Sequence, residues 1–270
     1  MAASEPRPRV DRLEPMTTYG ILGVGSIASA IVTGLCDGVS DAPEIVLSPR
    51  NADRAAALAS TFPSVRTATT NQAVVDASDV VLVCVLPEQA PEVLRGLAFR
   101  ADHRVVSAVA GLPLGDLAAL VAPAQEIARS IPLMAVATRG GTTPVFPATP
   151  SATTLYDLLG TSLHVDTEAT FDAIVGASAT VAAYFDYLGT ITAWLADRGL
   201  APGDAGPYVA ATFASLTDEL SRPEVDFGAL AQAHTTPGGL NEQFARDLRQ
   251  AGITDAVRRG LDRIHARVRG

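Results

Sequence analysis

Two glycines and an alanine open the chemical reading of this chain. Gly23, Gly25 and Ala28 stand at Gly-x-Gly-x-x-Ala spacing within YGILGVGSIASAIVTGL, residues 19–35. The apolar residues before them read as a short buried strand, and the small and apolar residues after them as a helix. Gly23 permits the tight turn between the two. Gly25 keeps side-chain atoms out of the path of a pyrophosphate, and Ala28 lets the helix lie close to a sheet. The N–H groups of Ser26 and Ile27, in the first turn of that helix, then face the phosphates at the positive end of the helix dipole. The predicted chemistry is the binding of a dinucleotide.

The next informative position is the end of the second predicted strand, Glu44-Ile45-Val46-Leu47, where such a fold meets the adenosine ribose. An acidic residue there binds the 2′-hydroxyl of NAD. This chain has Ser48, Arg50 and Asn51 instead. A hydroxyl, a guanidinium and an amide suit the 2′-phosphate of NADP(H), which is the expected cofactor. A second unusual stretch lies near the other end, Thr235-Thr236-Pro237-Gly238-Gly239-Leu240-Asn241-Glu242. Threonines and two glycines ahead of a helix can turn N–H groups toward an anion such as a carboxylate. Glu242 reads either as a cap on the first turn of its own helix or as a carboxylate facing a cationic substrate.

Composition narrows the chemistry. All 20 basic residues are arginine. Without lysine, a Schiff base, a pyridoxal-phosphate linkage and a lysine general acid are excluded. The net charge of −9 argues against nucleic acid or an anionic membrane as partner. No apolar run reaches the ~18–20 residues of a membrane span without a polar interruption. Cys36 and Cys84 fall in apolar helix and strand patterns and read as buried free thiols, so no metal site is expected.

The elements that must position these residues form two groups. Residues 1–15 are charged and proline-containing, without an apolar signal core, and read as a disordered leader on a cytoplasmic protein. Residues 16–165 alternate strands with helical segments, as in a doubly wound parallel sheet. Strands are expected at Val65–Ala68, Arg104–Val109 and Ile127–Pro132, with a short helix at Asn71–Asp76. The run VVLVCVL, Val80–Leu86, is β-branched in most of its positions, as in a strand buried on both faces. Pro87 ends it and places Leu86-Pro87 at a strand C-terminus, where ligands bind in such sheets. Residues 139–150 read as loop or edge strand. Residues 166–270 turn helical. Phe171–Leu200 is apolar all round and reads as one buried helix of ~30 residues shared with a second chain. Further helices are expected at Pro207–Leu220, Asn241–Gln250 and Asp255–Arg269.

Taken together, the Gly23 fingerprint, the buried strand ending at Pro87, SAVAGLPLGDL at 107–117 and TPGG at 236–239 resemble the pyrroline-5-carboxylate reductase family in order and spacing. The resemblance runs from Tyr19 to the C-terminus. It implies an α/β Rossmann-type domain followed by an all-α helical dimerisation domain, assembled as a homodimer or a larger ring. It implies reduction of a small-molecule cyclic imine, pyrroline-5-carboxylate, to proline with NAD(P)H, and hence a place in proline biosynthesis. By resemblance, Asn71 lies near the adenosine ribose, and Ser178 and Thr180 fall on a Ser-Gly-Ser-Gly-Pro motif of the long helix. Thr236, Gly238 and Gly239 fall on the substrate-carboxylate loop, and Asn241 replaces the threonine that closes it.

Other replacements concentrate in the same half. Pro132-Leu133-Met134-Ala135 stands for a Pro-Asn-Thr-Pro, Leu86-Pro87 for a Lys-Pro, and SATVAAY, 178–184, lacks the motif's glycines and proline. The expected function is therefore NADPH-dependent reduction of pyrroline-5-carboxylate or a related imine, with Asn241 and Glu242 as candidate catalytic residues. Other readings are a non-catalytic NADP-binding paralogue, a 3-hydroxyacid dehydrogenase, which would need a lysine, and a deazaflavin-dependent reductase, which shares the first domain only.

Overall fold

The computed structural model describes residues 17–269, and the expected leader lies outside them. Contacts divide the chain into two units, one running to Val175 and including Val268 and Arg269, the other Gly176–Arg267. The division thus falls ten residues beyond the expected boundary at 165.

Among the described residues, eight strands of the first unit form one sheet in the order β3-β2-β1-β4-β5-β6-β7-β8. The strands are β1 (Tyr19–Leu22), β2 (Ile45–Leu47), β3 (Val65–Thr67), β4 (Val80–Val83), β5 (Arg104–Ser107), β6 (Glu126–Ser130), β7 (Thr142–Phe146) and β8 (Thr161–His164). The first six run parallel, β7 joins β6 antiparallel, and β8 returns parallel to β7. Every residue of β1, β2 and β4 is buried, as the apolar runs require for strands covered on both faces. The covering helices are α1 (Ser26–Cys36), α2 (Ala52–Thr61), α3 (Asn71–Asp76), α4 (Ala90–Arg95), α5 (Leu114–Leu120) and α6 (Pro150–Leu158).

Asn71 begins a short helix as expected, capped by Thr70. Beyond residue 139 the expectation changes, because the chain does more than loop or edge: β7, α6 and β8 extend the sheet. Pro150 opens α6, where its missing N–H costs nothing, and the Thr149 side chain caps the helix by accepting from Ala152 N–H.

The apolar stretch expected as one helix is α7 (Glu168–Ser178) and α8 (Val181–Asp197), with a turn at Ala179-Thr180. Thr180 Oγ1 donates to Ala177 O at 2.8 Å, a local bond that competes with continuous helical pairing. The expected helix at 207–220 is α9 (Pro202–Ala214) and α10 (Thr217–Leu220). Pro202, not Pro207, holds the favourable first-turn position, and Pro207 lies inside the helix. There follow α11 (Phe227–Ala233), α12 (Leu240–Gln250) and α13 (Ile253–Arg269). By length and composition alone the stretch Glu168–Asp197 is apolar enough to cross a membrane, and 11% of its most apolar window is buried.

The start of α7 belongs to the first unit and is tied to the sheet through a charge. Arg129, on β6, has a side chain only 2% exposed. Its Nη1 donates to Glu168 Oε1 at 2.6 Å, and its Nη2 lies 3.0 Å from Asp172 Oδ1 as an ion pair without hydrogen-bond alignment. Glu168 Oε1 also accepts from Leu114 N–H, at the first position of α5. The guanidinium stacks 4.7 Å from the Phe171 ring centre. One buried cation therefore joins β6, α5 and α7. Removing it leaves a buried carboxylate unpaired, which costs about 3–5 kcal/mol. Arg129→Ala is expected to lower stability by that amount in urea unfolding, and Glu168→Gln by less, because Glu168 is about a third exposed.

Candidate active site

The turn at Gly23 is fixed by its neighbours on both sides. Gly23 has φ of +92°, and a methyl group on it would lie 2.7 Å from Val85 Cγ1 and 2.8 Å from the Cys84 carbonyl oxygen. Its N–H donates to Ser48 Oγ at 2.9 Å. Three strands thus meet at one residue: β1 supplies the turn, β2 the hydroxyl at its end, and β4 the backbone against which it packs. This corrects the sequence reading of Ser48. The residue is 1% exposed, and its hydroxyl holds the glycine turn from inside the fold instead of facing a phosphate.

Above this turn opens a cleft of about 580 Å³ at the C-terminal ends of β1 and β4. Gly23, Gly25, Ser26, Ile27, Arg50, Asn51, Leu86 and Pro87 all line it, so most of the expected cofactor residues converge. Ala28 is fully buried beneath, as its packing role requires. Asn71 opens α3 and does not line the cleft.

The chemistry of the cleft fits a dinucleotide pyrophosphate. A methyl on Gly25 would meet no atom within 4 Å, so the space over this residue is open where a phosphate would come close. Gly25 caps α1 without a side chain, which leaves the first N–H groups of the helix as donors. Asn51 Nδ2 donates to Val24 O at 3.0 Å and stitches the start of α2 to the glycine turn.

Sequence reasoning missed Arg54, in the first turn of α2, whose Nη1 donates to Ser26 Oγ at 3.1 Å. The available signal was the four-residue spacing from Arg50, which puts both arginines at the same end of α2. Cys84 also lines the cleft, but burial pushes its thiol up to about 12, so it is no nucleophile at neutral pH.

The remaining candidates lie in the second unit. Ser178, the last residue of α7, and Thr180, in the turn after it, both belong there. The TPGG loop is a tight turn with Gly238 at φ of +72°. Gly239 N–H donates to Thr236 O at 2.8 Å, and Gly238 N–H donates to Glu242 Oε2 at 2.6 Å. The loop does bind a carboxylate, and that carboxylate is its own. Asn241 Nδ2 donates to His234 O at 2.7 Å, and His234 pairs with Glu219 at 3.0 Å. Asn241 and Glu242 thus organise the loop. Among the described residues, no group of acidic, histidine or cysteine side chains is placed to hold a metal ion.

Comparison with known proteins also finds two parts, with bounds of their own. Residues 18–111 match a family model described as NADP oxidoreductase, coenzyme F420-dependent. Residues 168–270 match one described as pyrroline-5-carboxylate reductase dimerisation. Pyrroline-5-carboxylate reductase of Pseudomonas aeruginosa is 25% identical over 251 residues, covering 89% of this chain and 92% of the relative. Two solved structures show the same fold. The Streptococcus pyogenes 1-pyrroline-5-carboxylate reductase superposes with a TM-score of 0.80 at 22% identity, covering 94% of this chain and 98% of its own. The Plasmodium falciparum pyrroline carboxylate reductase, solved with NADP bound, gives 0.78 at 14% identity, covering 96% and 98%.

The two glycines of the turn separate by experiment. Gly23→Ala places a side chain at positive φ against β4 backbone and is expected to cost at least about 2 kcal/mol of stability. Gly25→Ala is expected to leave the unfolding midpoint unchanged and to weaken NADPH binding by about tenfold or more, or ~1.4 kcal/mol, because its methyl fills only the open cradle. Thermal unfolding beside isothermal titration of both variants checks the contrast.

Proposed function

We propose that this chain, which belongs to the pyrroline-5-carboxylate reductase family, uses NADPH to reduce the carbon–nitrogen double bond of a cyclic imine, pyrroline-5-carboxylate or a close relative. The observation that carries this reading is the open cradle over Gly25, in a chain that continues into that family's dimerisation module. When bound, NADPH supplies the hydride; the protein supplies position and field. The N-terminus of α1 and the Gly25 backbone would hold the pyrophosphate. Arg50 and Asn51, which line the same cleft, would hold the 2′-phosphate. Leu86 and Pro87 add an apolar side to the cleft.

No lysine is available to protonate the substrate. An iminium carries its own proton in, and the chain needs only to hold it. In the TPGG loop the family resemblance places the substrate carboxylate. Here that carboxylate meets Glu242 already bonded to the Gly238 N–H, so the loop favours an imine with little or no negative charge. Product release as proline would set the protein in proline biosynthesis, in the cytoplasm.

The chain forms a homo-oligomer, consistent with its dimerisation module, and we take the unit to be a dimer. The second unit cannot cover its own apolar surface. Of the described residues 176–267, Ala205 and Val209 are the buried hydrophobics, while Tyr184, Phe185 and Trp194 on α8 stand exposed.

Purified protein is expected to oxidise NADPH in the presence of pyrroline-5-carboxylate and of 1-pyrroline, its uncarboxylated analogue. NADPH should bind at least about tenfold more tightly than NADH, or ~1.4 kcal/mol. Glu242→Gln removes a like charge worth ~1 kcal/mol, so kcat/KM should rise about fivefold on pyrroline-5-carboxylate and fall on 1-pyrroline, whose iminium loses a counter-charge. Unchanged kinetics on both, with a loss of ~0.5–1 kcal/mol in stability, would make Glu242 a helix cap only. Light scattering at micromolar concentration is expected to give twice the chain mass or a multiple of it; a stable folded monomer would refute the shared helical unit.

A further inference from the structure

Three buried hydroxyls form a chain that ends at one wall of the cleft. Tyr156, on α6, Ser130, the last residue of β6, and Ser107, the last residue of β5, are all fully buried. Ser130 Oγ donates to Ser107 O at 3.0 Å. That bond uses the one hydroxyl proton of Ser130, so the Tyr156 phenol is the donor in the 2.7 Å bond between Tyr156 and Ser130. Ser107 Oγ in turn accepts from Val109 N–H at 3.2 Å. Ala108, between them, donates its N–H to Val83 O at the end of β4. Ala108 and Ala110 line the cleft, whereas Tyr156 and Ser130 do not. Burial pushes the Tyr156 phenol above its ordinary range, so it stays protonated at neutral pH and the chain relays no proton.

A core of this size has no need of these groups. Phenylalanine and alanine would fill nearly the same space without taking hydroxyls out of water. What a fully satisfied buried chain adds is a fixed geometry. Here it ties α6 and β6 to the carbonyl from which the turn at 108–111 departs, and that turn forms the side of the cleft over β5. A dinucleotide in such a sheet lies across its centre with the adenosine toward β2, so its other half falls over β4 and β5. We propose that Tyr156, acting through Ser130, is a positioning residue that sets the turn at 108–111 and with it the seat of the nicotinamide half of NADP(H). Both residues lie beyond 18–111, the stretch that matches the NADP oxidoreductase model, so the added helix α6 takes part in shaping the cofactor's seat. The inference rests on the reading of the cleft as a cofactor site.

The test is direct binding, without turnover. NADPH and adenosine 2′,5′-bisphosphate, which has no nicotinamide, are titrated calorimetrically into wild type, Tyr156→Phe, Ser130→Ala and the double variant. Tyr156→Phe is expected to weaken NADPH by about threefold or more, within the net worth of one hydrogen bond, and the bisphosphate by less than about twofold. The emission of bound NADPH, which senses the surroundings of the nicotinamide ring, should shift in the same variant. Ser130→Ala should show the same pattern, and the double variant should lose no more than the weaker-binding single variant, because both substitutions cut one chain. Retained bisphosphate binding shows that each variant is folded. Equal losses for both ligands, additive losses in the double variant, or a lowered unfolding midpoint with unchanged NADPH affinity and emission overturn the inference. A wild type that binds neither ligand overturns the proposed function together with it, whereas NADPH binding that is tight in wild type and the same in Tyr156→Phe overturns this inference alone.

Discussion

The fold of the first unit depends on one hydrogen bond and one missing side chain. The Gly23 N–H is held by Ser48 Oγ at the end of β2, and a methyl group on Gly23 would press against the Cys84 carbonyl oxygen. β1 and α1 therefore meet at an angle set by β2 and β4 together. Each feature of the cleft follows from that angle. It aims the N-terminus of α1 over the strand ends, opens the space above Gly25, and brings the start of α2 close enough for Asn51 and Arg54 to bond the glycine turn. The site is thus a property of the sheet centre, where strands are wholly buried and least able to shift.

The second constraint is electrostatic and lies toward the other side of the sheet. Arg129 carries its charge into the interior and is met there by Glu168 and Asp172. The first turns of α7 are therefore anchored to the sheet, while the chain from Gly176 to Arg267 belongs to the second unit. That unit is the opposite of the first in its burial. Its helices keep large aromatic residues in the open and bury little, so a single copy lacks a core of its own. The match to a dimerisation module fits this imbalance, since an assembly of copies offers such a unit further surface to bury.

The sheet centre was legible in the sequence because its signals are local and redundant. A β-branched run such as VVLVCVL bounded by proline points to a buried strand, and glycine spacing after an apolar strand implies both the turn and the helix. The edge of the sheet was not legible. β8 is the four residues TSLH, with mixed polarity and mostly exposed, so no periodicity distinguishes it from loop. The turn at Ala179-Thr180 was hidden because its residues are as small as their helical neighbours. Ser48 and Arg54 failed for a different reason. Both were judged by residue type at a strand or helix end, and only the direction of the side chain decides whether a hydroxyl faces inward or an arginine reaches a neighbour. Such directions are tertiary facts, set by packing between elements distant in sequence.

The absence of lysine gives these placements their weight. A protein that has no amine for covalent or acid catalysis must act through where it puts charge and where it excludes water. In the first unit that charge is positive and gathered at the starts of α1 and α2, which suits a cofactor rich in phosphate. In the TPGG loop the charge beside the backbone donors is negative, because Glu242 takes the Gly238 N–H. The two stretches therefore differ in sign: arginines and free helix N–H groups at the starts of α1 and α2, and a carboxylate on the backbone donors of the loop. A protonated imine, the form that accepts a hydride most readily, carries the charge that a carboxylate attracts.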